Sequence, residues 1–393
     1  MTPAARHAAA IGILDRWLAG EAAEKALTNW ARTNRYAGSG DRAAIRDIVF
    51  QSIRCRRSFA HLSGAETGRG LILGALRAAQ TDPATVFTGD RFAPAPLTDA
   101  EFATETALPP APSGNVALDC PDWLRPLLDR ALGDQALAVL EALRHRAPVF
   151  LRVNSLRATV DQAVAALQAE GIDTRPAPLS PRALEVTGNA RRVQTSAAFA
   201  AGLVELQDAA SQAVVDLLPL TAGARVLDLC AGGGGKSLAM AARMSLQIFA
   251  HDIDAGRLSD LPARAGRAGA PLHLLDDAEG PERMAPFDLV LADAPCSGSG
   301  SWRRAPEAKW RLTAERLTQL CAIQDSILTR AAALVAPGGV LAYATCSLLE
   351  DENSDRIAAF LDRHPDWRCD LSRQFTPLDG ADGFFAAILR RVD

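Results

Sequence analysis

Four consecutive glycines, Gly232 to Gly235, stand directly behind the apolar run Val226-Leu227-Asp228-Leu229 and directly before Lys236-Ser237 and a helical stretch. Glycine favours neither helix nor strand, so such a run between two ordered segments marks a tight turn at which backbone approaches a ligand or another chain segment. This belongs to α/β proteins, in which a buried strand feeds a glycine loop and a helix, and the ligand crevice opens at the carboxyl ends of the strands. The pattern repeats downstream. Gln247–Ala250, Pro271–Leu275, Phe287–Ala292 and Val340–Ala344 read as strands between helical stretches, and Gly383–Arg391 alternates like an antiparallel last strand. The fold class predicted is α/β, a doubly wound, mostly parallel sheet running from about Val204 to the C-terminus.

Two readings of the glycine loop compete. Gly-Gly-Lys-Ser invites a phosphate-binding P-loop, with Leu289–Asp293 as the strand that ends in a magnesium-holding Asp. That pattern needs a glycine five residues before its Gly-Lys, however, and Cys230 stands there. A methyltransferase reading accounts for more residues. In S-adenosylmethionine enzymes the loop passes the methionine end of the cofactor, which nominates Cys230, Ala231, Gly232, Gly233, Gly234, Gly235 and Lys236. An acid after the second strand takes the ribose hydroxyls, and here Asp252 follows Gln247–Ala250. Asp277, after the third strand, is the candidate for the adenine amino group, and Asp293 closes the fourth strand beside the same crevice.

Two cysteines also end strands, in Asp293-Ala294-Pro295-Cys296-Ser297 and Thr345-Cys346-Ser347. On a parallel sheet both would reach one rim and one substrate. Together with Cys-Ala-Gly-Gly-Gly-Gly-Lys at 230–236, Arg303-Arg304, Lys309-Trp310, Glu352-Asn353 and Asp382-Gly383-Phe384-Phe385, these segments resemble the NOL/NOP/Sun family of RNA cytosine-C5 methyltransferases, in its bacterial RsmB (Fmu/Sun) branch. The resemblance runs from about Pro148 to the C-terminus. The family loop reads Cys-Ala-(Ala/Ser)-Pro-Gly-Gly-Lys, so Gly233 stands where the family has proline. A lost proline removes a φ lock, and the loop is expected to be looser before cofactor binds.

Carbon 5 of cytosine is a poor nucleophile until a thiolate adds to carbon 6, and a carboxyl group against the base stabilises the charge that then develops. Asp293 is the candidate for that group. Spacing alone leaves the nucleophile open, because DNA cytosine-C5 enzymes attack with the cysteine of a Pro-Cys pair, which would be Cys296. The resemblance to the RNA enzymes implies Cys346 as nucleophile and Cys296 in product release. Cys230 needs no chemical role. The competing functional readings are a methyltransferase acting on another nucleic-acid atom and a non-catalytic RNA-binding or ribosome-assembly factor on the same fold.

The net charge of −4 is no footprint of a nonspecific nucleic-acid binder, but Arg303, Arg304 and Lys309 follow the Pro-Cys loop and are expected to contact RNA. Ribosomal RNA is the family default over transfer RNA, with no obligate protein partner inferred. The cluster from Arg42 to Arg57 reads as a solvated helix face. Seven cysteines without CxxC pairs and six scattered histidines argue against zinc or disulfides and for a reducing cytoplasm; no metal site is expected. No stretch suits a bilayer, and Met1–Ala10 lacks a secretory apolar segment.

The expected division is a helical, NusB-like domain over 1–80, a Pro/Ala-rich linker over 81–118, a helical connector over 119–147, an RRM-like α+β unit over 148–203 and the catalytic domain over 204–393. In the first of these, helices are predicted at Ala5–Ala19, Ala22–Arg32, Ser39–Leu62 and Gly68–Ala79.

Overall fold

The computed structural model describes residues 1–106, 110–275 and 280–392. The chain forms two compact units, Met1–Arg146 with Trp302–Arg311, and Ala147–Ser301 with Leu312–Asp393.

The first unit is helical. Pro3–Leu18, Ala23–Thr33, Ser39–Arg54, Arg56–Ser63 and Gly68–Ala78 pack around Ile13, Leu14, Ile45, Val49, Ile53 and Leu71 to Leu73. Thr2 and Thr67 cap the first and last of these helices by accepting from Ala5 N and Gly70 N. The single helix expected over Ser39–Leu62 is two, broken at Cys55. The cause lies far away in sequence. Asp119, fully buried, accepts from Ser58 N at 2.9 Å and Ser58 Oγ at 2.8 Å, capping a new helix start, and is itself held by Arg144 at 2.9 Å. Within the stretch read as a linker, Asp99–Thr106 is helical, and Glu101 is gripped by Arg69 at 2.7 Å.

Trp302–Arg311 belongs to this helical unit rather than to the catalytic domain in which it was expected. It serves the C-terminal end of Ser39–Arg54, whose last carbonyls lack partners within the helix. Trp310 Nε1 donates to Ile53 O at 2.7 Å, Lys309 Nζ donates to Arg54 O at 3.3 Å, and Arg54 Nε donates in return to Arg303 O at 2.7 Å.

The second unit carries two sheets. β1 (Val149–Val153), β2 (Thr174–Pro176), β3 (Ala183–Val186) and β4 (Val204–Leu206) form an antiparallel sheet in the order β2-β3-β1-β4, backed by the helix Val160–Ala169. Thr159 and Gln162 close a capping box at the start of that helix. β4 was expected to open the catalytic domain. It pairs instead with β1, Leu206 opposite Leu151, because Val204 completes the small apolar core.

The larger sheet contains β5 (Arg225–Asp228), β6 (Gln247–Ala250), β7 (His273–Leu274), β8 (Phe287–Asp293), β9 (Val335–Thr345), β10 (Trp367–Phe375) and β11 (Phe384–Arg391), in the order β10-β11-β9-β8-β5-β6-β7. β9, β8, β5, β6 and β7 run parallel, and β11 lies antiparallel between β10 and β9. Side chains alternate between two cores, as period-two geometry requires of a sheet covered on both faces. Val226, Leu289, Leu291, Val340 and Ala342 meet Val214, Leu238 and Leu261 on one face. Leu227, Val290, Ala292, Leu341 and Tyr343 meet Leu328, Ala331 and Phe360 on the other. This is a Rossmann-like methyltransferase sheet with antiparallel last strand.

Candidate active site

Asp228, Asp252, Asp293 and Cys346 all stand at or just past the carboxyl ends of β5, β6, β8 and β9, which are neighbours in the sheet. The rim they share is where an open α/β sheet places its ligand.

The glycine loop turns sharply after β5. Gly232 and Gly234 adopt positive φ of 52° and 74°, and a Cβ on Gly234 would lie 2.2 Å from Leu261 Cδ1, so both dihedral and space require glycine there. Ala231 N donates to His251 O at 2.8 Å and Gly232 N to Asp252 Oδ2 at 2.9 Å, tying the loop to the end of β6. Asp252 also accepts from Asp254 N at 3.0 Å and meets Arg257 at 3.3 Å. Ser237, in the following helix, donates to Asp228 Oδ2 at 2.6 Å, while Asp228 Oδ1 is buried without a partner. Burial raises the Asp228 carboxyl to about 7, with Ser237 opposing the shift. Burial, reinforced by the surrounding carboxylates, pushes the Cys230 thiol up to about 12, which leaves it inert; the residue contributes backbone and pocket wall.

Beside this loop opens a cavity of about 290 Å³ lined by Cys230, Asp252, Ile253, Pro295, Ile327 and Arg330 among others. Its apolar walls suit a flat base and Asp252 stands in its lining, while the orphaned Asp228 Oδ1 lies buried at the end of the neighbouring β5. The residues therefore fit a nucleoside cofactor bearing a charged amino acid tail. Asp277 lies outside the described residues.

Lys236 links the loop to the second half of the site. Its buried Nζ donates to Asp293 Oδ2 at 2.6 Å and lies 4.5 Å from the Phe384 ring centroid. Past Asp293 the two cysteine loops converge until Cys296 Sγ and Cys346 Sγ are 3.4 Å apart, both half-buried. The hydrogen bond from Cys296 holds Cys346 below the ordinary thiol range against the opposing effect of burial. The same bond, with burial, raises Cys296 well above that range. The contact thus pushes the two thiols in opposite directions, Cys346 down and Cys296 up.

Glu352 holds this convergence in place. Its fully buried carboxylate accepts from Ser297 N at 2.8 Å, Ser297 Oγ and Ser347 Oγ at 2.5 Å each, and Gln324 Nε2 at 3.1 Å. Each cysteine is thus followed by a serine bound to one carboxylate. Asn353 accepts from Thr345 Oγ1 at 2.6 Å and donates to Ser347 O at 3.0 Å. Gly300 and Gly383 complete the frame. Gly300 N donates to Cys346 O and Gly383 N to Gly300 O, and a Cβ on Gly300 would lie 2.0 Å from Gly383 O. Sequence reading singled out Glu352-Asn353 only as part of a resemblance. An acid and serine 55 residues apart leave no local pattern.

The basic cluster falls elsewhere. Lys309 is buried, with burial lowering its ammonium to about 8, and Arg303 is 6% exposed; both belong to the helical unit. Both were expected on RNA, but they are buried, Lys309 donating to Arg54 O and the Arg303 carbonyl accepting from Arg54 Nε. Arg304 is exposed. The cluster from Arg42 to Arg57 divides as well, since Arg54 is buried while Arg46 pairs with Glu24 on the surface.

Among the described residues no cluster of His, Cys, Asp and Glu is arranged to hold a metal ion, and no helix is long and apolar enough to cross a membrane.

Residues 215–390 match the family described as 16S rRNA methyltransferase RsmB/F, and residues 120–193 match its ferredoxin-like domain. Relatives called ribosomal RNA small subunit methyltransferase B include one from Photorhabdus laumondii, 35% identical over 69% of this chain and 66% of its own length. A second, from Xanthomonas campestris, is 38% identical over 69% and 66%. A third, from Salmonella arizonae, is 35% identical over 82% and 73%. The chain thus spans about two thirds of the length of the first two. Among solved structures, a methyltransferase homologue from Pyrococcus horikoshii superposes with a TM-score of 0.62 at 25% identity, covering 71% of this chain and 97% of its own. NSun6 from the same organism, solved with SFG, shares the fold with a TM-score of 0.62 at 18% identity, over 70% and 98%. With the paired cysteine loops and glycine loop in the places these matches span, the chain belongs to the RsmB/F family of methyltransferases.

Proposed function

We propose that this chain methylates carbon 5 of a cytosine in RNA, the RNA of the small ribosomal subunit, using S-adenosylmethionine and a covalent bond between Cys346 and carbon 6 of the base. The observation that carries this is the pair of thiols 3.4 Å apart on adjacent strand ends, next to Asp293 and joined through Lys236 to the glycine loop. Methylation of nitrogen or oxygen needs no thiol, let alone two. The names of the relatives, ribosomal RNA small subunit methyltransferase B, support the substrate.

The residues that would hold the cofactor are Cys230 to Lys236 by their backbone, Asp252 at the ribose, and Asp228 Oδ1 at the ammonium of the amino acid tail. When bound, S-adenosylmethionine supplies an electrophilic methyl group. Cys346, held as thiolate by the hydrogen bond from Cys296, adds to carbon 6, and the electron pair of the carbon 5–carbon 6 double bond moves to carbon 5 and the ring. Asp293, one oxygen fixed by Lys236, accepts from the exocyclic amine and orients the base. Carbon 5 takes the methyl group, its proton then passes to solvent water acting as base, and the electrons of that C–H bond re-form the ring double bond as the carbon–sulfur bond breaks and returns the thiolate to Cys346. Cys296, neutral and adjacent, donates a hydrogen bond to the departing thiolate without giving up its proton and so assists release. From the basic cluster, the exposed Arg304 remains the proposed phosphate contact.

The two cysteines leave different traces. Cys346→Ala abolishes methyl transfer and gives no protein–RNA adduct. Cys296→Ala still attacks and methylates but releases slowly, so an adduct stable to denaturing electrophoresis accumulates with radiolabelled RNA. Swapped phenotypes would make Cys296 the nucleophile, and full activity in both variants would sink the carbon 5 reading.

A further inference from the structure

Gly233 raises a question that the expectation of a loose loop leaves unanswered: where the family loop has a proline ring, this chain has no side chain, yet the space beside the glycine is filled. A Cβ built on Gly233 would lie 3.0 Å from Arg264 Nη1, with no other atom within 4 Å. The same Nη1 donates a short hydrogen bond to Gly233 O. From the other side of the guanidinium, Nη2 donates to Glu205 Oε2 at 3.0 Å. Glu205 is 3% exposed in β4 and is also held by Arg267, one turn further along the helix that carries Arg264. A buried acid with two arginine partners is a fixed post. Leu261, three residues before Arg264 on the same helix face, fills the space beside Gly234.

We propose that Arg264, anchored on Glu205, is a positioning residue for the cofactor loop, its planar fork bracing Gly233 in place of the family's proline ring. Proline restrains a loop by fixing φ; a guanidinium restrains it by tying the carbonyl to a buried carboxylate. A Cβ at position 233 would crowd the guanidinium where it now stands. Gly233 is compatible with either, since its φ lies outside the left-handed region and, among the described residues, its N–H donates no hydrogen bond. The chain thus replaces a covalent restraint in the loop by a reversible one supplied from β4 and the helix Leu261–Ala268. The proposal rests on the reading of this loop as the cofactor site only for its effect on affinity; the restraint itself exists without ligand.

The test is a rescue. In ligand-free protein, hydrogen–deuterium exchange over residues 230–237 should quicken about tenfold in Arg264→Ala and return close to the wild-type rate in Gly233→Pro/Arg264→Ala. Arg264→Lys, whose donors sit on one nitrogen and cannot span both partners as the guanidinium does, should fall between. Calorimetry with S-adenosylhomocysteine should show affinity falling about tenfold in Arg264→Ala and recovering within threefold in the double variant, with unfolding midpoints confirming that each variant is folded. Exchange and affinity unchanged in Arg264→Ala, or a double variant as loose as Arg264→Ala, would overturn the brace. Failure of the wild-type protein to bind the ligand would overturn the functional reading instead, and the exchange rates would still decide the brace.

Discussion

The two halves of the site are built by opposite means. At the thiol end the inward polar groups of Glu352, Asn353, Ser297 and Ser347 are joined in one network without substrate, beside which Gln324 Oε1 is buried without a partner. At the cofactor end Asp228 Oδ1 is orphaned, Gly233 is exposed and the loop is held by arginine side chains. Reaction geometry tolerates little error, so sulfurs that react as proposed have to be fixed beforehand. Cofactor binding supplies energy of its own, so its loop can wait for the ligand to satisfy it.

The largest effect is expected where the network is complete. Glu352→Ala strips four donors of one acceptor inside the protein and should destabilise the catalytic unit by about 3–5 kcal/mol. Urea unfolding measures this, and Glu352→Gln, which keeps one carbonyl acceptor, should lose less. A loss under about 1 kcal/mol for the alanine variant would erase the contrast between the halves.

The open half should show itself in binding rather than in folding. Asp252→Ala removes the paired acceptors proposed for the ribose together with the Gly232 anchor, and affinity for S-adenosylmethionine should fall on the order of 2–4 kcal/mol while the unfolding midpoint moves little. Calorimetry against Asp252→Asn, which retains one acceptor, separates the contributions. Unchanged affinity would remove Asp252 from the site, and tight ATP binding with none for S-adenosylmethionine would restore the P-loop reading.

The smallest effect is a pH dependence. Asp228, raised to about 7 by burial, keeps a proton in the folded chain that the unfolded chain releases near pH 4, so its contribution to stability is full at low pH and is lost as pH rises through about 7. An ammonium docking at Oδ1 favours the carboxylate, so cofactor affinity should rise with pH up to about 7, by at most about tenfold per unit, and then level off. Titration calorimetry from about pH 5.5 to 8 checks it. Asp228→Asn should flatten the profile, and an unchanged profile in that variant would place the ammonium elsewhere.

What the sequence made legible was local. The strand–glycine–helix passage, β6 to the residue, and the cysteines at strand ends follow from periodicity and from glycine's backbone freedom, both readable within a dozen residues. What stayed hidden depends on partners distant in the chain. Asp119 breaks a helix more than 60 residues before it. Residues 302–311 look like a basic surface loop until the carbonyls of Ile53 and Arg54 are seen to need them. Charge in a sequence announces affinity for an opposite charge or a carbonyl, not which one. Arg264 was invisible for the same reason, and with it the answer to the missing proline. β10, an alternating but largely polar strand, gave too weak a pattern to be recognised.

The contact of Gly300 with Gly383 carries a consequence for the order of assembly. β5 and the glycine loop, with β6, β7 and β8, precede the thiol of Cys346 in synthesis, but β9 acquires its outer neighbour only when β11 inserts, with Phe385 opposite Thr345. Until residues 383–391 have joined the sheet, the Gly300 carbonyl that Gly383 holds has no such partner, and the Cys296 loop is fastened from one side alone. A growing chain therefore possesses the means to hold a cofactor before it possesses an aligned pair of sulfurs. On the proposed chemistry, the thiol half of the site is thus framed on both sides only once the C-terminal strand has paired.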